Sequence, residues 1–131
     1  MSKYIYPAIF RKEDGKYLVN FPDVKGCHTF GDNLEEAYAM AEDALALMMF
    51  DAEVERREAP KASDLNDVKT DDKEFVSYVM CDTLEYNKKN NNKAIKKTLS
   101  IPCWLNTQAE AAHINFSATL QEALKTKLNI L

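Results

Sequence analysis

The sign of the charge changes near residue 87, and that change limits what the chain can be. From Asn87 to Leu131 there are seven lysines and two acids, Glu110 and Glu122, whereas residues 1–86 hold ten Lys and Arg against nineteen Asp and Glu. A front part of net −9 is thus joined to a tail of net +5, which together make the formal −4 of the chain. An acidic body on a basic tail predicts two different partners.

The chain has 131 residues, enough for one ordinary domain and a small appendage. With 46% hydrophobic and 29% charged residues it reads as globular. No apolar run approaches the ~20 residues that span a bilayer. The N-terminus carries a charge every few residues around a short apolar centre, unlike a signal peptide. We therefore expect a cytoplasmic protein without a membrane partner. Cys27, Cys81 and Cys103 are scattered and odd in number, which fits reduced thiols better than a disulfide framework.

In the front part, Tyr4–Phe10 and Tyr17–Phe21 are rich in aromatic and β-branched residues. Glu13-Asp14-Gly15 between them supplies turn chemistry, so the pair reads as a hairpin. Pro22-Asp23 ends the second strand, and Cys27–Phe30 reads as a third. Asn33 is a competent helix cap, with Glu36 three residues on and acids suited to the helix dipole. Leu34, Tyr38, Ala41, Leu45, Met48 and Ala52 recur at helical spacing, and the helix should run to about Glu58, before Ala59-Pro60. Residues 60–74 read as a surface loop and Phe75–Tyr86 as a last strand. The fold class expected is α+β: a small antiparallel sheet of three or four strands covered by one long helix. The domain so predicted spans 1–86. Residues 87–93, polar and low in complexity, read as a linker.

The tail, 94–131, poses a physical problem. Ala94–Pro102 alternates as a strand, with Leu99 and Ile101 on one side and Lys96, Thr98 and Ser100 on the other. A helix should start near Pro102 with Leu105, Ala109 and Ala112 on one face. Residues His113–Phe116 read as a turn, and Ser117 as the cap of a second helix with Leu120, Leu124 and Leu128 inside. One strand and two short helices cannot bury their own apolar side, and the strand's backbone groups lack partners. Two copies solve both problems. Their strands pair antiparallel, and Leu99, Ile101, Trp104, Leu120 and Leu124 form the dimer core. The outer face is then a two-stranded ribbon that fits the major groove of B-DNA, with Lys96, Thr98 and Ser100 reaching base edges. Lys93 and Lys97 add charge near the phosphates, and the helix start at Asn115–Ser117 offers backbone N–H groups to one of them.

The run KKTLSIPCWL…INFSATLQEAL resembles the ribbon-helix-helix family of DNA-binding proteins. The front part resembles the HicB antitoxin family through Tyr6-Pro7-Ala8, Phe21-Pro22-Asp23, Gly26-Cys27 followed by Thr29, and Gly31-Asp32-Asn33-Leu34-Glu35-Glu36-Ala37. The resemblance implies an antitoxin of a bacterial toxin–antitoxin pair. Its front domain, of partial RNase H-like fold, would bind a HicA-like toxin, a small basic protein that cleaves mRNA. Its tail would dimerise, with higher even-numbered oligomers open to it, and bind the operator of its own operon. The −9 front part agrees independently with a basic partner. The competing reading is a free-standing ribbon-helix-helix regulator whose front domain takes another protein or a small ligand. The residues that would touch a toxin are not marked in the sequence.

An RNase H-like fold raises the question of metal-dependent nuclease chemistry, which needs converging carboxylates. The first strand carries none, and Asp82, Glu42 and Asp43 do not visibly converge, so no catalytic residue, metal or cofactor is expected. Cys27 and His28 are adjacent on a strand and point to opposite faces, which favours a structural thiol beside a surface imidazole. Lys88 and Lys89 fit a solvated linker as well as a DNA contact.

Overall fold

The structure, a computed structural model, describes residues 1–130; Leu131, the last residue of the tail, lies outside the described residues. The chain separates into two compact units, Met1–Lys93 and Ala94–Leu131. In the first unit, strands β1 (Lys3–Glu13), β2 (Lys16–Asn20), β3 (His28–Gly31) and β4 (Glu74–Asp82) form one sheet in the order β3-β2-β1-β4, every pair antiparallel. The long strand β1 is central. It runs beside β4 from Lys3↔Asp82 to Arg11↔Glu74, and beside β2 from Ile9↔Asn20 to Glu13↔Lys16.

The β1–β2 connection is a two-residue turn, Asp14-Gly15, with both residues at positive φ (52° and 78°). That geometry matches the natural twist of paired strands and needs residues that tolerate left-handed backbone, as Asp and Gly do. Helix α1 (Leu34–Val54) then crosses one face of the sheet, and Asn33 caps it by accepting from the Glu36 N–H at 2.8 Å. Its buried residues are Ala37, Ala41, Leu45, Ala46, Met49 and Ala52. All of these but Ala52 meet Tyr6, Ala8, Phe10, Val19, Phe21, Val79 and Cys81 in a single core.

The expected helix stripe is therefore turned by part of a residue step. Ala37 and Met49 take the inner positions, Tyr38 and Met48 pack at the margin, and Leu34 stays exposed. The cause is the closeness of helix and sheet. A Cβ on Gly31 would stand 2.3 Å from the Ala37 nitrogen, so the first turn of α1 lies directly on β3 and only small residues fit there. The helix also ends at Val54 rather than near Glu58. Arg56 turns left-handed (φ 56°), and the Arg57 N–H returns to the Ala52 carbonyl at 2.8 Å. The chain is thereby sent back toward the sheet, where the Tyr6 hydroxyl donates to the Pro60 carbonyl.

Segment 60–73 is pinned by polar contacts. The Asp23 carboxylate accepts from the Ser63 N–H (2.8 Å) and hydroxyl (2.6 Å), and Arg11 pairs with Asp71 at 2.8 Å. Beyond it, β4 stops at Asp82 instead of running to Tyr86. Asp82 caps a helix, α2 (Thr83–Asn90), by accepting from the Leu84 and Glu85 N–H groups. Tyr86 packs on Phe50 of α1, ring centroids 5.6 Å apart. Half of the expected linker is thus helix, held by an N-cap and by this aromatic contact.

The second unit contains α3 (Cys103–Ala111) and α4 (Phe116–Lys127). The cap of α4 is Asn115, whose side chain accepts from the Ala118 N–H at 3.0 Å, and Ser117 lies inside the first turn. The reason is the preceding turn. His113 is left-handed (φ 56°) and the Ile114 N–H bonds the Ala109 carbonyl at 3.0 Å, so the chain leaves α3 in time for Asn115 to cap. Residues 94–102 have no regular secondary structure in the single chain.

Replacing Gly31 by Ala should cost more than about 3 kcal/mol in urea unfolding, because the new methyl meets helix backbone. Asn33→Ala, which only removes the cap, should cost about 1 kcal/mol. Equal effects of the two would refute the close approach of α1 to β3.

Candidate functional site

Two regions stand out, one in each unit. In the first unit a groove runs between α1 and the free edge of β4. One stretch is lined by Leu34, Tyr38, Phe75 and Ser77 with the carboxylates of Glu35 and Glu42. The other is lined by Met80 and Tyr86 with Asp43, Asp82, Glu85 and Lys89. Ala39 and Glu42 belong to both stretches, which makes the groove continuous.

Its floor is held by aromatic packing. Phe10, buried in the core, stacks on Phe75 (5.1 Å between centroids, 7° between planes) and on Tyr38 (6.0 Å, 11°). The Tyr38 hydroxyl donates to the Tyr78 carbonyl at 2.9 Å. That carbonyl points to the free edge of β4, because Tyr78 stands opposite Pro7 at a non-hydrogen-bonded position of the ladder. The groove is electrically one-sided: α1 carries six carboxylates and no cation. Among the described residues Glu35, Glu42 and Asp43 make no ion pair. Burial raises the Tyr86 hydroxyl pKa, and the charges of Asp43 and Asp51 raise it further.

The three carboxylates weighed for nuclease chemistry fall along this groove, but Asp82 is engaged as the cap of α2. Among the described residues no three His, Cys, Asp or Glu side chains gather where they could hold a metal ion. Cys27 is buried while His28 is exposed. Burial pushes the Cys27 thiol up to about 11 and the Cys81 thiol up to about 12.

In the second unit, Lys96, Thr98 and Ser100 lie on the irregular segment 94–102 and are exposed, as are Lys93 just before it and Lys97 within it. Asn115 is committed to the α4 cap, and Ser117 stands two residues further along. The apolar residues expected to form a dimer core lie open in the single chain: Leu99 is 58% exposed, Ile101 47%, Trp104 68% and Leu124 51%, with Leu120 half-buried. No residue of the second unit is buried, among the described residues. The groove was missed in sequence because its walls come from α1, β4 and α2. The absence of any cation over 34–54 was a readable signal.

Comparison with known proteins places this architecture. Residues 6–124 match the family model described as the HicB-like antitoxin of bacterial toxin–antitoxin systems. The chain belongs to the HicB-like antitoxin family. It is 46% identical to Antitoxin HicB 2 of Photorhabdus laumondii over 65 residues, which are 48% of this chain and 46% of that protein. The chain spans less than half the length of the curated relatives it matches. Among solved structures it is similar to a chain of a toxin–antitoxin complex from Streptococcus pneumoniae (32% identity, TM-score 0.62, covering 95% of this chain and 99% of that one). A chain of the HicA3 and HicB3 toxin–antitoxin complex shares the fold at 24% identity and TM-score 0.51, covering 60% of this chain and 99% of that one. No helix among the described residues is long and apolar enough to cross a membrane.

The two buried thiols of this HicB-like chain should resist an aromatic disulfide reagent at pH 8 and react only after denaturation. Because their folded pKa values are raised, their contribution to stability is present below the ordinary value of 9.0 and is lost as pH rises toward about 11 for Cys27 and about 12 for Cys81. Denaturant melts across pH 8–11 would show this, and reaction of Cys27 or Cys81 at the rate of an exposed thiol would refute it.

Proposed function

We propose that the chain is an antitoxin that neutralises a HicA-like, mRNA-cleaving toxin and represses its own operon. The observation that carries this reading is the family match over residues 6–124, together with likeness along 95% of the chain to a member of a toxin–antitoxin complex. The front unit, of partial RNase H-like type, acts by covering the toxin's active surface. It needs no catalysis of its own. Its excess of carboxylates suits a basic RNA-cutting protein, since complementary charge speeds and orients encounter.

The tail acts as half of a ribbon-helix-helix domain. What supports this is its unsatisfied state as a single chain. From residue 92 to 101, among the described residues, no backbone–backbone hydrogen bond is made, and Leu99, Ile101 and Trp104 face solvent. Antiparallel pairing of two such segments satisfies the backbone and covers the apolar side chains. The paired segments present Lys96, Thr98 and Ser100 to the operator's major groove, with Lys93 and Lys97 on the phosphates. The N–H groups left free in the first turn of α4, beside Asn115 and Ser117, set the register on the backbone.

Three outcomes test the division of labour. Lys96→Ala with Ser100→Ala should weaken operator binding at least about tenfold and leave toxin neutralisation unchanged in a growth-rescue assay; equal loss of both would refute it. Leu99→Asp should give monomers by light scattering, and an unchanged dimer would rule out the ribbon. Truncation after Lys93, which keeps α2 on α1, should yield a folded unit that binds toxin and not DNA.

A further inference from the structure

We propose that the groove between α1 and the free edge of β4 is where the front unit docks its basic protein partner. The inference rests on the reading above that such a partner exists, and it names the surface that takes it. Three observations converge on one occupant.

The first is charge. Glu35, Glu42 and Asp43 stand along the groove without ion pairs, on a helix that has no cation. Lys89 is the one cation among the lining residues. Carboxylates left open beside an apolar floor attract a cationic surface and repel nucleic acid. The second is the floor itself. Tyr38 and Phe75 are fixed by stacking on the buried Phe10, and Tyr38 is tethered again through its hydroxyl. Aromatic side chains already held in place lose little freedom when covered, which is what interface anchors need.

The third observation weighs against a second copy of this chain. Exposed edge strands invite self-pairing. Here the Tyr78 carbonyl, at the middle of β4, already accepts from Tyr38. A two-fold pairing of β4 about Tyr78 would set Glu74 opposite Asp82 at both ends, and like charges facing each other are destabilising. Two copies meeting groove to groove would likewise bring together two walls of carboxylates with Lys89 as the one cation lining each. A basic partner meets none of these penalties. Its lysines or arginines pair with the carboxylates, and its apolar side chains rest on Tyr38 and Phe75.

The test uses the full chain and a purified HicA-like toxin, with affinity measured by calorimetry. Glu42→Lys with Asp43→Lys should weaken binding at least about tenfold. Asp67→Lys with Asp72→Lys makes the same change in net charge on the exposed segment before β4, outside the groove, and should leave affinity within about twofold. Ala39→Trp fills the shared middle of the groove without changing charge and should also weaken binding. It carries the test if the charge reversals disturb the helix, which thermal melts would reveal. Binding by the native chain with all three variants within twofold would overturn the groove assignment alone. Equal losses from both charge reversals, with Ala39→Trp harmless, would reduce the effect to net charge and overturn it as well. Failure of the native chain to bind any HicA-like toxin would instead overturn the function proposed above, and the docking site with it.

Discussion

The contact on which the first unit depends is the close seating of α1 on the sheet. Gly31 leaves room for the backbone of Ala37, and Ala41, Ala46 and Ala52 continue the low profile along the helix. Leu45 and Met49 fill the space between, against Phe10, Val19 and Val79. Interiors are packed so tightly that a methyl group in the wrong place displaces backbone. Because the helix lies low, Tyr38 reaches the Tyr78 carbonyl and stacks on Phe10, and the gap beside β4 becomes a groove with a firm floor.

The two units solve the burial problem differently. The first encloses its own core and spends polar groups on local closure: Asp23 holds Ser63, Asp82 caps α2, and Thr83 ties Ser2 to Glu53. Its remaining acids stay available on the surface. The second leaves most of its leucines and isoleucines and Trp104 open and its first segment without backbone hydrogen-bond partners. A small piece with so little interior gains stability by association, since the surface covered grows with the size of the assembly. Opposite charge on the two units keeps their proposed partners apart: a cationic protein for one, a polyanion for the other.

Where the chain's pattern was local, reading it worked. Asp14-Gly15 gave the two-residue turn, and Asn33 with Glu36 gave the start of α1. The glycine of the Gly31-Asp32-Asn33 string was visible as part of a family pattern, but its reason, the backbone of Ala37, was not. Errors arose where two residues could do one job. Asn115 and Ser117 are both good caps, and the left-handed turn at His113 decided between them. Asp82 looked like the middle of a strand and proved to be the cap of a helix, which moved 83–90 out of strand and linker. Leu34 fitted a helical stripe as well as Ala37 did, until the nearness of β3 admitted only the smaller residue.

Composition and order alone determined the α+β character of the front part and the separation of acid from base, because these depend on residue type and short spacing, and they carried the motif strings that resemble the HicB family. Tertiary structure decided which face of α1 is buried, where β4 yields to α2, and that Glu35, Glu42 and Asp43 share a groove with Tyr38 and Phe75. Those facts depend on residues some forty positions apart meeting across a sheet edge, and no local pattern encodes the distance between them.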